Sequence, residues 1–174
     1  MSSQSKPTTI CLVIIAAFGE KRREVEKEFP QDFTLPDDLK KANIIMPGII
    51  AITGPDYVNE EQTNRFVQKL NLWFKNFLPY FGQKFPLIIL CDDSRFTSAT
   101  LNNFLWITFT RSNPSHDIHG IDSFSEHKHW GCRGSLIIDA RIKPHHAPPL
   151  LKEPEIEKRV DALGVKGGSL FGII

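Results

Sequence analysis

A mainly parallel α/β sheet with helices packed on it, three-layered and sandwich-like, is the fold class this sequence predicts. Three observations carry the prediction. Short apolar runs rich in Val, Ile and Leu occur at residues 11–17, Ile49–Thr53, Leu87–Cys91 and Leu136–Asp139. They do not alternate with polar residues, which marks strands covered on both faces. Helical periodicity lies between the later runs, so residues 49–139 read strand–helix–strand–helix–strand, the order of consecutive right-handed crossovers. Finally, 174 residues with 41% hydrophobic and 24% charged side chains suit one globular domain with a proper core. The reading is therefore a single α/β domain over 1–174, with a C-terminal tail from about residue 143.

Each element has its own warrant. The run at residues 11–17 follows Lys6 and precedes Glu20-Lys21-Arg22-Arg23-Glu24. A secretory signal with a small-residue site near Ala16-Ala17 is the competing reading. One basic residue ahead of the run and a poor cleavage motif favour a buried strand. Residues 20–41 are charged and broken by Pro30 and Pro36, which suggests a helix and then a loop. Residues 60–78 form the strongest helix. Phe66, Leu70, Trp73 and Phe77 share one stripe, with Val67, Phe74, Leu78 and Phe81 beside it. Asn59 suits its N-cap and Gln62 the capping-box position.

A second helix is expected over residues 99–111 with Ser98 as its cap and Trp106 in the core. Residues 112–135 are polar and rich in His and Gly, and read as a long loop. A loop of that length in a compact domain is functional or a partner contact. A third helix is expected over residues 154–163. Pro154 suits its first position, Gly164 its C′ position, and Ile156, Val160 and Leu163 give one apolar face.

Composition narrows the function classes. A formal net charge of +1 offers no field for nucleic acid or an anionic membrane. No apolar run approaches the ~20 residues of a membrane-spanning helix. Cys11, Cys91 and Cys132 are an odd, widely spaced set, which argues against a disulfide framework or a zinc site and suits a reducing cytoplasm.

Several residues invite a chemical role. His116, His119, His127, His129, His145 and His146 crowd the last third, yet without metal-ligand spacing, so loop or interface histidines are the preferred reading. The adjacent His145 and His146 would point opposite ways in an extended segment. Asp92 and Asp93 follow the run Leu87–Cys91, at the strand end where α/β sheets bind ligands. They could hold a cation or act as acid and base; alternatively one caps the next turn and the other pairs with Arg95. Arg111, closing the second helix, suits the helix dipole or an anionic group. Asp139, Arg141, His145 and His146 complete the set that is either a polar site or structural. There is no GxGxxG, Walker loop or Gly-x-Ser-x-Gly elbow. Lys166-Gly167-Gly168 reads as a flexible tail, and the apolar ending Leu170-Phe171-Gly172-Ile173-Ile174 requires a surface to cover it.

The later motifs also form an ordered series. It begins with Ile88-Ile89-Leu90-Cys91-Asp92-Asp93, then Asn102-Asn103-Phe104-Leu105-Trp106 and Phe109-Thr110-Arg111-Ser112-Asn113-Pro114, with Asp117 after it. It continues through His129-Trp130-Gly131 and Leu136-Ile137-Ile138-Asp139-Ala140-Arg141 to Lys143-Pro144-His145-His146-Ala147-Pro148-Pro149. In this order and spacing the series resembles the C-terminal domain of the UbiD family of carboxy-lyases. Lys158-Arg159-Val160-Asp161-Ala162-Leu163-Gly164 and Pro47-Gly48-Ile49-Ile50 look like the UbiD-like decarboxylases of quinone pathways, such as 3-octaprenyl-4-hydroxybenzoate carboxy-lyase and its menaquinone-pathway counterparts. The resemblance is strong over about half of the chain and weak over the first half.

The resemblance implies reversible, non-oxidative decarboxylation of aromatic or unsaturated acids. The family uses prenylated FMN, with a divalent metal and potassium at its phosphate. Its enzymes combine a flavin-binding region, a split-barrel domain and a C-terminal α/β domain. The catalytic glutamate–arginine–glutamate set lies in the first two parts, and no segment here matches it or the flavin phosphate site. The implied role is thus subunit assembly and covering of the active site in a larger enzyme of quinone biosynthesis. The isolated chain is expected to be inactive and to need no cofactor. The implied partners are the missing flavin-binding and split-barrel domains and further copies of the chain. By the same resemblance residues 115–134 lie toward the active-site cleft, with Phe124, His127, His129 and Trp130 near substrate; packing of the loop or an interface is the alternative. Two other classes stay open: a non-catalytic homologue acting as an assembly or regulatory subunit, and a stand-alone small-molecule-binding α/β domain using Asp92 and Asp93.

Overall fold

The computed structural model describes residues 23–31, 33–77, 81–147 and 153–173. In chain order they form β1 (Lys41–Met46), β2 (Ile49–Thr53), α1 (Glu60–Phe77), α2 (Phe81–Lys84), β3 (Leu87–Cys91), α3 (Ser94–Ala99), α4 (Leu101–Thr110), β4 (Ile118–Gly120), β5 (Ser123–Glu126), β6 (His129–Cys132), β7 (Leu136–Asp139) and α5 (Pro154–Gly164). The chain divides into two compact units, Met1–Pro144 and His145–Ile174. The expected strand at residues 11–17 lies outside the described residues.

The apolar runs become the middle of the sheet. Its order is β1-β2-β3-β7-β4. The β2–β3 and β3–β7 pairs are parallel, and both edge strands are antiparallel to their neighbours. Alternate residues of each central strand face opposite sides. On one side Ile50, Ile52, Ile88, Leu90 and Ile137 pack against Phe66, Val67, Leu70 and Phe74 of α1 and against Phe81 and Phe85. On the other, Ala51, Ile89, Cys91, Ile138 and Ala140 meet Phe104 and Ile107 of α4. Two-sided burial explains why the runs carry no polar alternation, and gives the α/β layering. No helix among the described residues is long and apolar enough to cross a membrane.

The α1 boundaries match the sequence reading. Asn59 caps the helix, its Oδ1 accepting the Gln62 N–H at 2.8 Å. Elsewhere the expectations need correction. The region read as helix then loop contains no helix among its described residues, and β1 begins at Lys41. The Glu26 N–H donates to the Lys84 carbonyl at 3.2 Å, and its carbonyl accepts from Gly48 at 2.9 Å. Phe29 stacks on Phe33 at 4.4 Å, and Phe33 on Phe81 at 5.5 Å. These long-range contacts hold an irregular segment that local charge patterning suggested as helix. The β1–β2 turn uses Pro47 and Gly48, and Gly48 has φ 78°. A Cβ there would stand 2.8 Å from Val25 Cβ, so both the backbone conformation and the space call for glycine.

The second helix is two helices. Asp93 Oδ1 accepts the N–H groups of Arg95 at 2.8 Å and Phe96 at 3.0 Å, so α3 starts before the expected position. Thr100, extended at φ −146° and ψ 157°, caps α4 by accepting the Asn103 N–H at 3.0 Å. Ser98 is not the cap; it lies within α3, its hydroxyl donating to the Arg95 carbonyl. Trp106 is 47% exposed rather than in the core. The route from β3 to β7 is also no simple crossover. After α4 the chain returns through β4, which runs antiparallel to β7 with Ile118 opposite Ile138, and then through the β5–β6 hairpin. The expected loop over residues 112–135 therefore contains three short strands.

Within the second unit, α5 carries Pro154 in its first turn and runs through Gly164, which was expected just beyond it. No residue of α5 is buried.

Candidate functional site at the carboxyl edge of the sheet

Register brings the ends of the three parallel strands together. Thr53 lies opposite Cys91, and Leu90 opposite Asp139. The residues just after these strands therefore share one edge, where α/β sheets commonly bind ligands.

Asp139, Arg141 and Lys143 recur at every second position, the spacing that keeps side chains on one side of an extended chain. All three are buried. Asp139 accepts two parallel bonds from Arg141, Nε to Oδ1 at 2.9 Å and Nη2 to Oδ2 at 2.8 Å. Arg141 Nη1 donates to the Pro55 carbonyl at 2.9 Å, and Nη2 also donates to Thr63 Oγ1 at 2.8 Å. The ring of Tyr57 lies 5.6 Å from the guanidinium carbon and that of Phe66 5.9 Å, both within cation–π range. Lys143 Nζ donates to the carbonyl of Asp139 at 2.9 Å and stands 3.4 Å from Asp117 Oδ1. Asp117 in turn accepts the Asn113 N–H at 2.7 Å. Two buried cations thus meet two buried carboxylates, with most remaining lone pairs and protons satisfied. Such a network fixes geometry more than it raises stability.

Sequence reasoning singled out Asp139 and Arg141 but missed Lys143, Asp117 and Thr63. The alternating Asp-x-Arg-x-Lys pattern was the available signal. His119, read from the sequence as a loop or interface histidine, lies on β4. Its Nε2 is buried with no hydrogen-bond partner among the described residues. Burial lowers its pKa from 6.5, with Asp139 and Asp117 opposing that shift and Arg141 and Lys143 adding to it.

Asp92 and Asp93 separate into two duties. Asp93 caps α3, whereas Asp92 pairs with Arg111 at 3.0 Å, not with Arg95, and accepts the Ile142 N–H at 2.9 Å. Arg111 lies beside the Trp106 ring at 5.2 Å. Burial pushes the neighbouring Cys91 thiol up to about 12, which leaves it protonated and inert as a nucleophile.

Phe124, His127, His129 and Trp130 all fall on the β5–β6 hairpin. Phe124 pairs with Gly131, Ser125 with Trp130, and Glu126 with His129. Paired residues share a face, so Phe124 and His129 lie on one side and Trp130 on the other. A Cβ on Gly131 would lie 2.7 Å from the Phe124 ring, and Arg133 sits 4.7 Å from that ring's centre. His127 and Lys128 form the turn with φ 50° and 67°, which suits a two-residue hairpin but is unusual without Asn or Gly. In the second unit, His145 and His146 do not point apart: the segment is a turn, and their rings meet edge to face at 4.5 Å.

The cofactor implied by the resemblance finds no matching donor set here. Among the described residues no three His, Cys, Asp or Glu side chains group to hold a metal ion. Asp117 and Asp139 are already committed to Lys143 and Arg141.

No protein-family model matches the chain. It is 35% identical over 79 residues to a 4-hydroxybenzoate decarboxylase subunit of Chlamydia pneumoniae, a match covering 45% of this chain and 13% of that protein. Over the matched residues the chain is similar to a UbiD-like, decarboxylase-related protein. A protein of Chlamydia muridarum is 33% identical to the domain over 81 residues, covering 46% of this chain and 14% of its own length. The UbiD-like match thus spans about one seventh or less of these curated relatives. A solved structure of Sedimentibacter hydroxybenzoicus vanillic acid decarboxylase in open form overlaps the domain with TM-score 0.43 and 14% identity, covering 72% of this chain and 29% of the other.

Proposed function

We propose that this domain is the C-terminal assembly and active-site-covering part of a UbiD-like non-oxidative decarboxylase of aromatic or unsaturated acids in quinone biosynthesis. It does not catalyse decarboxylation alone. The observation that carries the assembly role is the outer face of α3 and α4. Phe96, Leu101, Leu105, Trp106 and Phe109 are each between 42% and 56% exposed. Residues 101–110 contain no ionisable side chain. A helix with Phe104 and Ile107 buried inside and large apolar groups outside is suited to burial on both sides. The partners of this reading are the flavin-binding and split-barrel parts of the enzyme and further copies of this chain, in the cytoplasm. Prenylated FMN, its divalent metal and potassium would reside on those other parts. There the Phe124, His127, His129 and Trp130 hairpin would stand toward substrate.

Co-expression with flavin-binding and split-barrel parts is the direct test. Co-purification with flavin held by those parts is expected; flavin bound by the isolated chain overturns the reading. Trp130→Ala in the assembled enzyme should lower turnover, and unaltered turnover sinks the covering role. A non-catalytic assembly or regulatory role is the second reading, supported by the same apolar face. It predicts association without any effect of Trp130→Ala. A stand-alone ligand site on Asp92 and Asp93 has less support, because both carboxylates are already occupied.

A further inference from the structure

A cavity of about 310 Å³ opens between the first turns of α1 and the segments flanking β1 and β2. Arg141 and Phe66 line it, with Pro55 and Asp38 on one side and Arg65 and Lys69 on the other. Its size is at the lower end of small-molecule sites. We propose that this cavity binds a small organic carboxylate, with the anionic group at Arg141 and Lys69 and the apolar body against Phe66 and Pro55.

The donor inventory supplies the anion contact. A guanidinium has five N–H groups. Arg141 uses four, two with Asp139 and one each with Pro55 and Thr63. The remaining N–H is on Nη1 and has no partner among the described residues. The guanidinium is held rigidly, so a ligand that takes this bond immobilises nothing further. The other two lining cations are held loosely. Arg65 pairs with Glu61 and Lys69 with Asp38, but these four side chains are between 43% and 75% exposed. Exposed pairs are screened and worth little, so an incoming carboxylate exchanges with them at small loss. Asp38 is already a carboxylate against Lys69 at the rim, an internal occupant of the place a ligand would take. Arg grips carboxylate and phosphate alike with two prongs, so one spare N–H serves a single oxygen of either anion. The Phe66 ring and Pro55 add the flat apolar wall that a bare inorganic anion leaves unused.

This inference stands on the first unit alone and is independent of the decarboxylase reading. The test is titration of the full chain with benzoate, acetate or inorganic phosphate, followed by backbone amide NMR. Benzoate is expected to give saturable shifts in the first turns of α1, and acetate and phosphate to bind more weakly. Lys69→Met should weaken benzoate about fivefold, the loss of one charge-assisted contact. Lys75→Met, on the same helix but not lining the cavity, should not weaken it. Asp38→Asn should tighten binding by removing the internal competitor. The thermal midpoints of these exposed variants report whether each is folded. Absence of saturable shifts, equal weakening by Lys69→Met and Lys75→Met, or phosphate binding as well as benzoate would each overturn the proposal.

Discussion

Asp139 and Arg141 grip each other through two parallel hydrogen bonds of 2.9 and 2.8 Å, with both side chains essentially excluded from solvent. The pair joins the end of β7 to α1 through Thr63 and to the end of β2 through the Pro55 carbonyl. Removing one partner leaves the other charge buried and uncompensated. Asp139→Ala should therefore cost about 3–5 kcal/mol, read as a lower urea midpoint. A loss below about 1 kcal/mol would show that the pair is not closing the sheet edge.

The caps of α3 and α4 make a graded prediction. Asp93→Ala and Thr100→Ala should each cost about 1 kcal/mol, because each leaves helix-terminal N–H groups unsatisfied. Ser98→Ala should fall within about 0.5 kcal/mol of the parent. Urea denaturation of the three variants checks the ranking. It separates the observed caps from the one that the sequence suggested.

His119 gives the fold an acid sensitivity. Burial lowers its folded-state pKa below 6.5. Above 6.5 both folded and unfolded chains hold it neutral, and it imposes no penalty. As pH falls through 6.5 toward the lower folded value, the unfolded chain takes up a proton that the folded chain refuses, and stability declines. Replacing it with Gln should remove this component. The difference in urea midpoint between about pH 7.5 and about pH 5.5 should shrink in His119→Gln. An unchanged difference would assign the acid response to other groups.

The outer α4 face should be separable from the inner one. Phe109→Glu is expected to reduce self-association in light scattering while leaving the urea midpoint near that of the parent. Phe104→Ala opens the core and should cost about 3–5 kcal/mol. A parent chain that stays monomeric at high concentration would remove the basis for the self-association part of the assembly role.

Much of the architecture was legible along the chain. Ile49–Thr53, Leu87–Cys91 and Leu136–Asp139 announced strands buried on both faces, and α1 announced its stripe and its Asn59 cap. The candidate site was less legible. Asp92, Asp93, Arg111, Asp139 and Arg141 all stood out as polar residues at element ends, but their partners did not. The β5–β6 hairpin stayed hidden because His127-Lys128 occupies a turn whose usual marker is Asn-Gly or Asp-Gly. Trp106 was misplaced because periodicity reports which residues are apolar, and on α4 both faces are.

By itself, the sequence determined the parallel centre of the sheet, its covering helices and the Asp-x-Arg-x-Lys spacing that lines up three polar side chains. These are consequences of periods two and 3.6, which act over a few residues. Only the tertiary structure decided that β1 and β4 close the edges, that the described residues 23–31 and 33–40 form no helix or strand, and that Asp139, Arg141 and Lys143 are buried together. Arg141 reaches Pro55 across 86 positions and Thr63 across 78. Which charges meet in a dry interior depends on how distant strands and helices pack, and no local pattern carries that information.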